Sequence, residues 1–176
     1  MKIRYISILG VEDLETDQIL TTRAFRQNGV TCPINWANCG DEAIAYLKGD
    51  GAFADRVRFP YPTFIMTDLK MPHGDGFSVL QHLKTTPEWS VIPTVVFTAS
   101  EDLDDIKRSY MLGGDSYIVK RGDFTELRRL LSIVYAYWME CETPATDITG
   151  KRLDTDSEGK LGARFVNQYD NEEAPA

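Results

Sequence analysis

Histidine is nearly missing from this chain, with two in 176 residues, and cysteine is sparse at three. No CxxC spacing joins Cys32, Cys39 and Cys141, which argues against a disulfide framework and against a zinc site. Free thiols fit a reducing, cytoplasmic setting. Basic residues are outnumbered, 19 against 27 acidic ones, and the formal net charge of −8 argues against a nucleic-acid binder. No apolar run approaches the roughly 18 residues of a membrane span. The start, "MKIRYISILGVED", has neither the long apolar core nor the small-residue cleavage site of a secretory leader. Phosphate-cradling glycine loops of the GxxxxGK[ST] or GxGxxG kind are absent, and no internal repeat is evident.

What is present is an alternation. Short apolar runs fall at Ile3–Val11, Ile34–Ala37, Thr63–Thr67, Thr94–Phe97 and Ser116–Val119. Between and after them lie amphipathic segments near Thr16–Asn28, over "CGDEAIAYLKG", over "FSVLQHLKTTP", at Glu101–Leu112 and at Asp123–Glu140. Strands alternating with helices of 10–15 residues predict βαβ units and a parallel sheet with helices on both faces. The expected class is α/β: a doubly wound, flavodoxin-like, five-stranded sheet in the order 2-1-3-4-5. Runs three to five are almost wholly apolar, as expected of strands covered on both faces. A loop rich in glycine, proline and charge, Gly49–Pro62, interrupts the pattern. After Cys141 the chain turns polar and acidic. Residues 1–141 therefore read as one domain and 142–176 as a flexible tail, with a docking segment at Leu161–Tyr169.

The apolar runs end in chemistry. The first runs into Glu12 and Asp13, the third into Asp68, the fourth into Thr98 and the fifth into Lys120. Open α/β sheets build their sites outside the carboxyl ends of the strands. Neighbouring strands lie roughly 4.8 Å apart, so three carboxylates would crowd one pocket with Thr98 and Lys120 on its rim. Crowded carboxylates call for a cation, and an all-oxygen set without an adjacent His or Cys suits Mg²⁺. Asp68 beside such an ion is a candidate carboxylate nucleophile toward phosphorus, with Lys120 pairing with it at rest and Thr98 free to bond a phosphoryl oxygen. Taken singly, Glu12 and Asp13 would be first-turn acids of the next helix and Lys120 a solvated lysine; four complementary strand ends together favour the phosphoacceptor. His73 and His82 read as surface residues. Gly74 and Gly76 read as turn residues before the third helix.

Taken in order, "VEDLETD", "MTDLKMPHGDGF", "PTVVFTAS" and "GGDSYIVK" resemble the receiver domain of two-component response regulators, over about Arg4–Glu140. The resemblance implies that Asp68 is the phosphoacceptor, that Glu12 and Asp13 hold Mg²⁺ together with Asp68 and the Lys70 carbonyl, and that Thr98 and Lys120 are the family's hydroxyl and lysine. It also makes Tyr117 the switch aromatic, turning inward with Thr98. Three features depart from the family pattern: Arg121 stands where Pro is usual, Gly10 interrupts strand one, and the Gly49–Pro62 insert is long. Arg121, the insert and the "YAYWMECETP" ending resemble the stand-alone receivers that serve bacterial phytochromes.

The resemblance implies a signalling domain rather than an enzyme, phosphorylated by a histidine kinase, a bacterial phytochrome by the narrower likeness. No DNA or membrane partner is expected. The last helix carries surplus apolar residues, Ile133, Tyr135, Tyr137 and Met139, and predicts a homodimer through the fourth and fifth helices and the fifth strand. The rivals are a phosphorelay intermediate, a haloacid-dehalogenase-like phosphatase, disfavoured because Lys70 stands where that chemistry needs a second acid, and a pseudo-receiver, disfavoured because no site residue is missing.

Overall fold

Strand and helix alternate along the chain in the computed structural model, which describes residues 6–143. The strands are β1 (Ile8–Val11), β2 (Ile34–Ala37), β3 (Phe64–Thr67), β4 (Thr94–Thr98) and β5 (Ser116–Val119). The helices are α1 (Glu15–Gln27), α2 (Gly40–Lys48), α3 (Gly76–Thr85), α4 (Leu103–Met111) and α5 (Phe124–Glu140). All four strand pairings are parallel and the order is β2-β1-β3-β4-β5, the doubly wound sheet expected. The tail, save for its first two residues, and the docking segment Leu161–Tyr169 lie outside the described residues.

Alternating residues of the central strands feed two cores. Leu9, Val11 and Ile65 pack with Tyr46 and Leu47 of α2 and Val79 and Leu83 of α3 on one face. Ile8, Phe64, Met66 and Val95 pack with Ala24 and Phe25 of α1 and Leu127, Leu131 and Val134 of α5 on the other. β3 and β4 are buried at every position, but β5 is only half-buried throughout. That overturns the expectation for the fifth run: β5 is the sheet edge and lacks a neighbour strand on one side.

Local chemistry sets the element ends. Glu101 and Asp102 fall outside α4, because Asp102 caps it, accepting from the N–H groups of Asp104 at 2.8 Å and Asp105 at 3.3 Å. Gly10 lies beside Trp36 in the parallel register, and a Cβ there would sit 2.2 Å from the indole ring, so the glycine makes room for a large aromatic on β2. The Gly49–Pro62 insert opens with one 3-10 turn, Gly51–Phe53, and then folds back as packing: Phe53 and Phe59 meet the Tyr46 ring with centroids 5.2 and 6.0 Å away. Tyr135 packs on the α5 core, edge-on to Phe25, and so is not part of the apolar surplus; Ile133 and Tyr137 remain exposed. His73 is exposed as expected, whereas His82 is half-buried and lies against the Trp89 ring at 5.1 Å.

Candidate functional site at the carboxyl rim of the sheet

Register brings the acids together. Val11 of β1 pairs with Thr67 of β3, and the ladder continues one step, with the Asp68 N–H donating to the Val11 carbonyl at 2.9 Å. Glu12 and Asp68 therefore leave adjacent strands side by side. Lys120 arrives from β5, tied by its N–H to the Thr98 carbonyl at 2.7 Å. Its ammonium donates to Asp68 Oδ2 at 2.8 Å, to Asp17 Oδ2 at 3.0 Å and to Glu12 Oε2. The resting pair between Lys120 and Asp68 is present.

The electrostatics follow from burial and from that contact. Desolvation raises the Glu12 carboxyl above the usual carboxylate range, although the Lys120 hydrogen bond and charge oppose the shift. Burial works against the Lys120 charge, but the Asp68 and Glu12 carboxylates outweigh it and hold the amine above its ordinary value. Asp13 is half-buried and is not among the partners of Lys120. Among the described residues no three His, Cys, Asp or Glu side chains are arranged to hold a metal ion.

The Asp68 loop is built tightly. Asp68 Oδ1 accepts from the Leu69 N–H at 2.6 Å, fixing the carboxylate plane. Gly76, the first residue of α3, passes so close that a Cβ would lie 2.0 Å from the Asp68 carbonyl oxygen; the glycine serves close approach more than turn geometry. Gly74, by contrast, is a turn glycine with φ of 91°. Asp75 caps α3, accepting from the Ser78 N–H at 2.8 Å.

A second polar chain leads away from the rim. Thr98 is buried, and its Oγ1 accepts a long bond from the Ser100 N–H at 3.4 Å. The Ser100 hydroxyl donates to Asp105 Oδ2 at 2.6 Å, and Lys70 Nζ reaches that same oxygen at 3.2 Å. The Ser100 hydroxyl and then Lys70 hold the Asp105 carboxyl below its usual range. The Tyr117 hydroxyl donates to the Ser100 carbonyl at 3.0 Å, and its ring packs on Leu69, Phe77, Leu80 and Val96. Tyr117 is half-buried, with its hydroxyl tied to the loop that follows β4. Sequence reasoning missed Asp17 and Asp105, and gave no role to Ser100 although it closes the quoted "PTVVFTAS". Asp17 lay within the quoted "VEDLETD", four residues beyond Asp13; nothing in the strand pattern pointed to Asp105.

Residues 8–132 match the family model described as the response regulator receiver domain. The chain belongs to this family. It is 30% identical to response regulator Rcp1 of Synechocystis sp. over 77% of this chain and 90% of that protein. It is 34% identical to the probable methanogenesis regulatory protein FilR2 of Methanothrix harundinacea, over 75% and 83% of the two chains. Among solved structures, the phosphorylated cyanobacterial phytochrome response regulator RcpA superposes with a TM-score of 0.74 at 31% identity, over 80% of this chain and 99% of that one. A manganese-bound form of Rcp1 gives 0.72 at 30% identity, over 80% and 99%. This receiver thus has the phosphoacceptor signalling role of its family, and among the described residues no helix is long and apolar enough to cross a membrane.

Proposed function

We propose that Asp68 is the phosphoacceptor and that the protein is a receiver answering a histidine kinase of the bacterial phytochrome kind in the cytoplasm. The observation that carries this is the single ammonium bridging Glu12 and Asp68, since it puts both carboxylates within reach of one cation. The donors are hard oxygens, which fits Mg²⁺, with Glu12, Asp13, Asp68 and the Lys70 carbonyl as its ligands. When bound, that ion neutralises the oxygens of the phosphoryl group in transfer.

Transfer makes a bond from an Asp68 carboxylate oxygen to phosphorus and breaks the bond from phosphorus to the kinase imidazole nitrogen, which leaves with a proton. The Leu69 N–H holds the other carboxylate oxygen in place meanwhile. Lys120 then trades an Asp68 oxygen for a phosphoryl oxygen, and the Thr98 hydroxyl donates to a second. Any pull on Thr98 is felt at Ser100, whose N–H, carbonyl and hydroxyl are tied to Thr98, Tyr117 and Asp105. Tyr117 turns further inward as Thr98 moves, and the α4–β5–α5 face shifts with it. Exposed Tyr110 and Met111 on α4 and Ile133 and Tyr137 on α5 support a homodimer through that face. The domain boundary falls at residue 141, where α5 has ended.

Acetyl phosphate with Mg²⁺ tests the reading. The expected result is one phosphoryl group per chain by intact mass, lost in Asp68→Asn, with a larger sedimentation coefficient on phosphorylation. Steady turnover of the reagent would indicate a phosphatase, and no uptake a pure interaction module; either would overturn it.

A further inference from the structure

We propose that Asp17 is a positioning residue for Lys120, holding the ammonium at the rim while its other two partners are taken up by chemistry; this rests on Asp68 being the phosphoacceptor. An ammonium has three protons, and Lys120 spends them on Glu12, Asp17 and Asp68. Glu12 and Asp68 are the two whose oxygens metal binding and phosphorylation claim. Asp17 is committed to neither. It projects from the first turn of α1, where its N–H is fixed to the Leu14 carbonyl at 2.9 Å.

Apart from these carboxylates, the ammonium has only the Phe97 ring near it, 5.9 Å from the ring centre, while its backbone N–H is tied to Thr98. The chain beyond it is weakly held: Arg121 and Gly122 are exposed, and the ion pair of Arg121 with Glu101, at 3.2 Å, joins two exposed side chains and adds little. On the α1–α5 side of the amine lies a cavity of about 270 Å³, lined by Leu20, Thr21, Phe97, Phe124 and Leu127 as well as Asp17. Once Glu12 and Asp68 turn to other partners, the lysine stem has room to swing away from the rim. Asp17, one-third exposed and on the wall of that cavity next to the amine, limits the swing with a charge-assisted bond.

The test compares Asp17→Ala, Asp17→Asn and Glu15→Ala, the last removing an exposed acid from the same helical turn. Two quantities are read: the rate of phosphorylation by acetyl phosphate with Mg²⁺, and the NMR order of the Lys120 ammonium in the metal-free protein. Asp17→Ala should slow phosphorylation on the order of ten-fold and disorder the ammonium, as loss of a supporting hydrogen bond does elsewhere. Asp17→Asn, which keeps an oxygen acceptor, should fall between, and Glu15→Ala should match wild type. Equal rates and equal ammonium order in Asp17→Ala and wild type would overturn the proposal, as would an equal loss in Glu15→Ala. If wild type takes up no phosphoryl group, the phosphoacceptor reading fails, and the ammonium order alone decides for or against Asp17.

Discussion

α2 and α4 are both nine residues long, yet they are held in opposite ways. α2 buries Gly40, Ala43, Tyr46 and Leu47, whereas α4 buries Ser109 alone. Around α2 the insert adds aromatic rings, and Arg56 clamps the helix end, its guanidinium donating to the carbonyls of Tyr46 and Leu47, each at 2.8 Å, and of Phe59 at 3.3 Å. Around α4 the ties are polar: the Asp102 cap, Ser100 and Lys70 on Asp105, and the Arg108 guanidinium 4.0 Å from the centre of the Phe77 ring. Apolar burial is indifferent to a new charge nearby, but polar ties are not. The comparison teaches that, on one face of the sheet, the β2 edge is anchored and the β5 edge is poised to answer a charge placed on the rim.

The largest effect should come from the anchored side. Tyr46→Ala removes a fully buried ring and its hydroxyl bond to the Pro60 carbonyl, and should cost about 4 kcal/mol in urea unfolding. Arg56→Ala strips three carbonyls of a charged donor and should cost about 2 kcal/mol by the same measurement. On the poised side, Tyr117→Phe loses only the bond to the Ser100 carbonyl, about 1 kcal/mol. Its mark should be regional: faster amide exchange over 99–112 with 40–60 unchanged. Uniform acceleration across both segments would erase the distinction drawn here.

The smallest effect depends on pH. Burial, and then the Lys48 charge, hold the His82 imidazole below its ordinary 6.5, so the unfolded chain binds the proton more readily than the folded one. The contribution of His82 is intact above 6.5 and shrinks as the pH falls through it. Urea midpoints at pH 7.5 and 5.5 should therefore converge slightly in His82→Phe relative to wild type.

Much of this architecture was legible beforehand where pattern and local chemistry agree. β2 and β5 fall on the apolar runs read from the sequence, and α2 starts at one of its two glycines and stops just before the other. The reading failed where an outcome depends on what lies across space. Apolar β5 looked enclosed, but its place at the sheet edge leaves it half-covered. Tyr135 looked surplus until α5 was seated on Phe25. Asp17, to which no strand end pointed, joins Glu12 and Asp68 on the Lys120 ammonium.

The amino-acid sequence by itself determined the order of elements, the two-sided burial of the central strands and the carboxylates at the strand ends, because periodicity and strand-end polarity are local properties of the chain. Tertiary structure decided which of those groups touch. Parallel register set Glu12 beside Asp68, the return of β5 delivered the Lys120 ammonium between them, and the first turn of α1 supplied Asp17. Such contacts join residues as many as 108 positions apart, and a distance of a few ångströms across that separation is fixed only by the packing of the whole sheet.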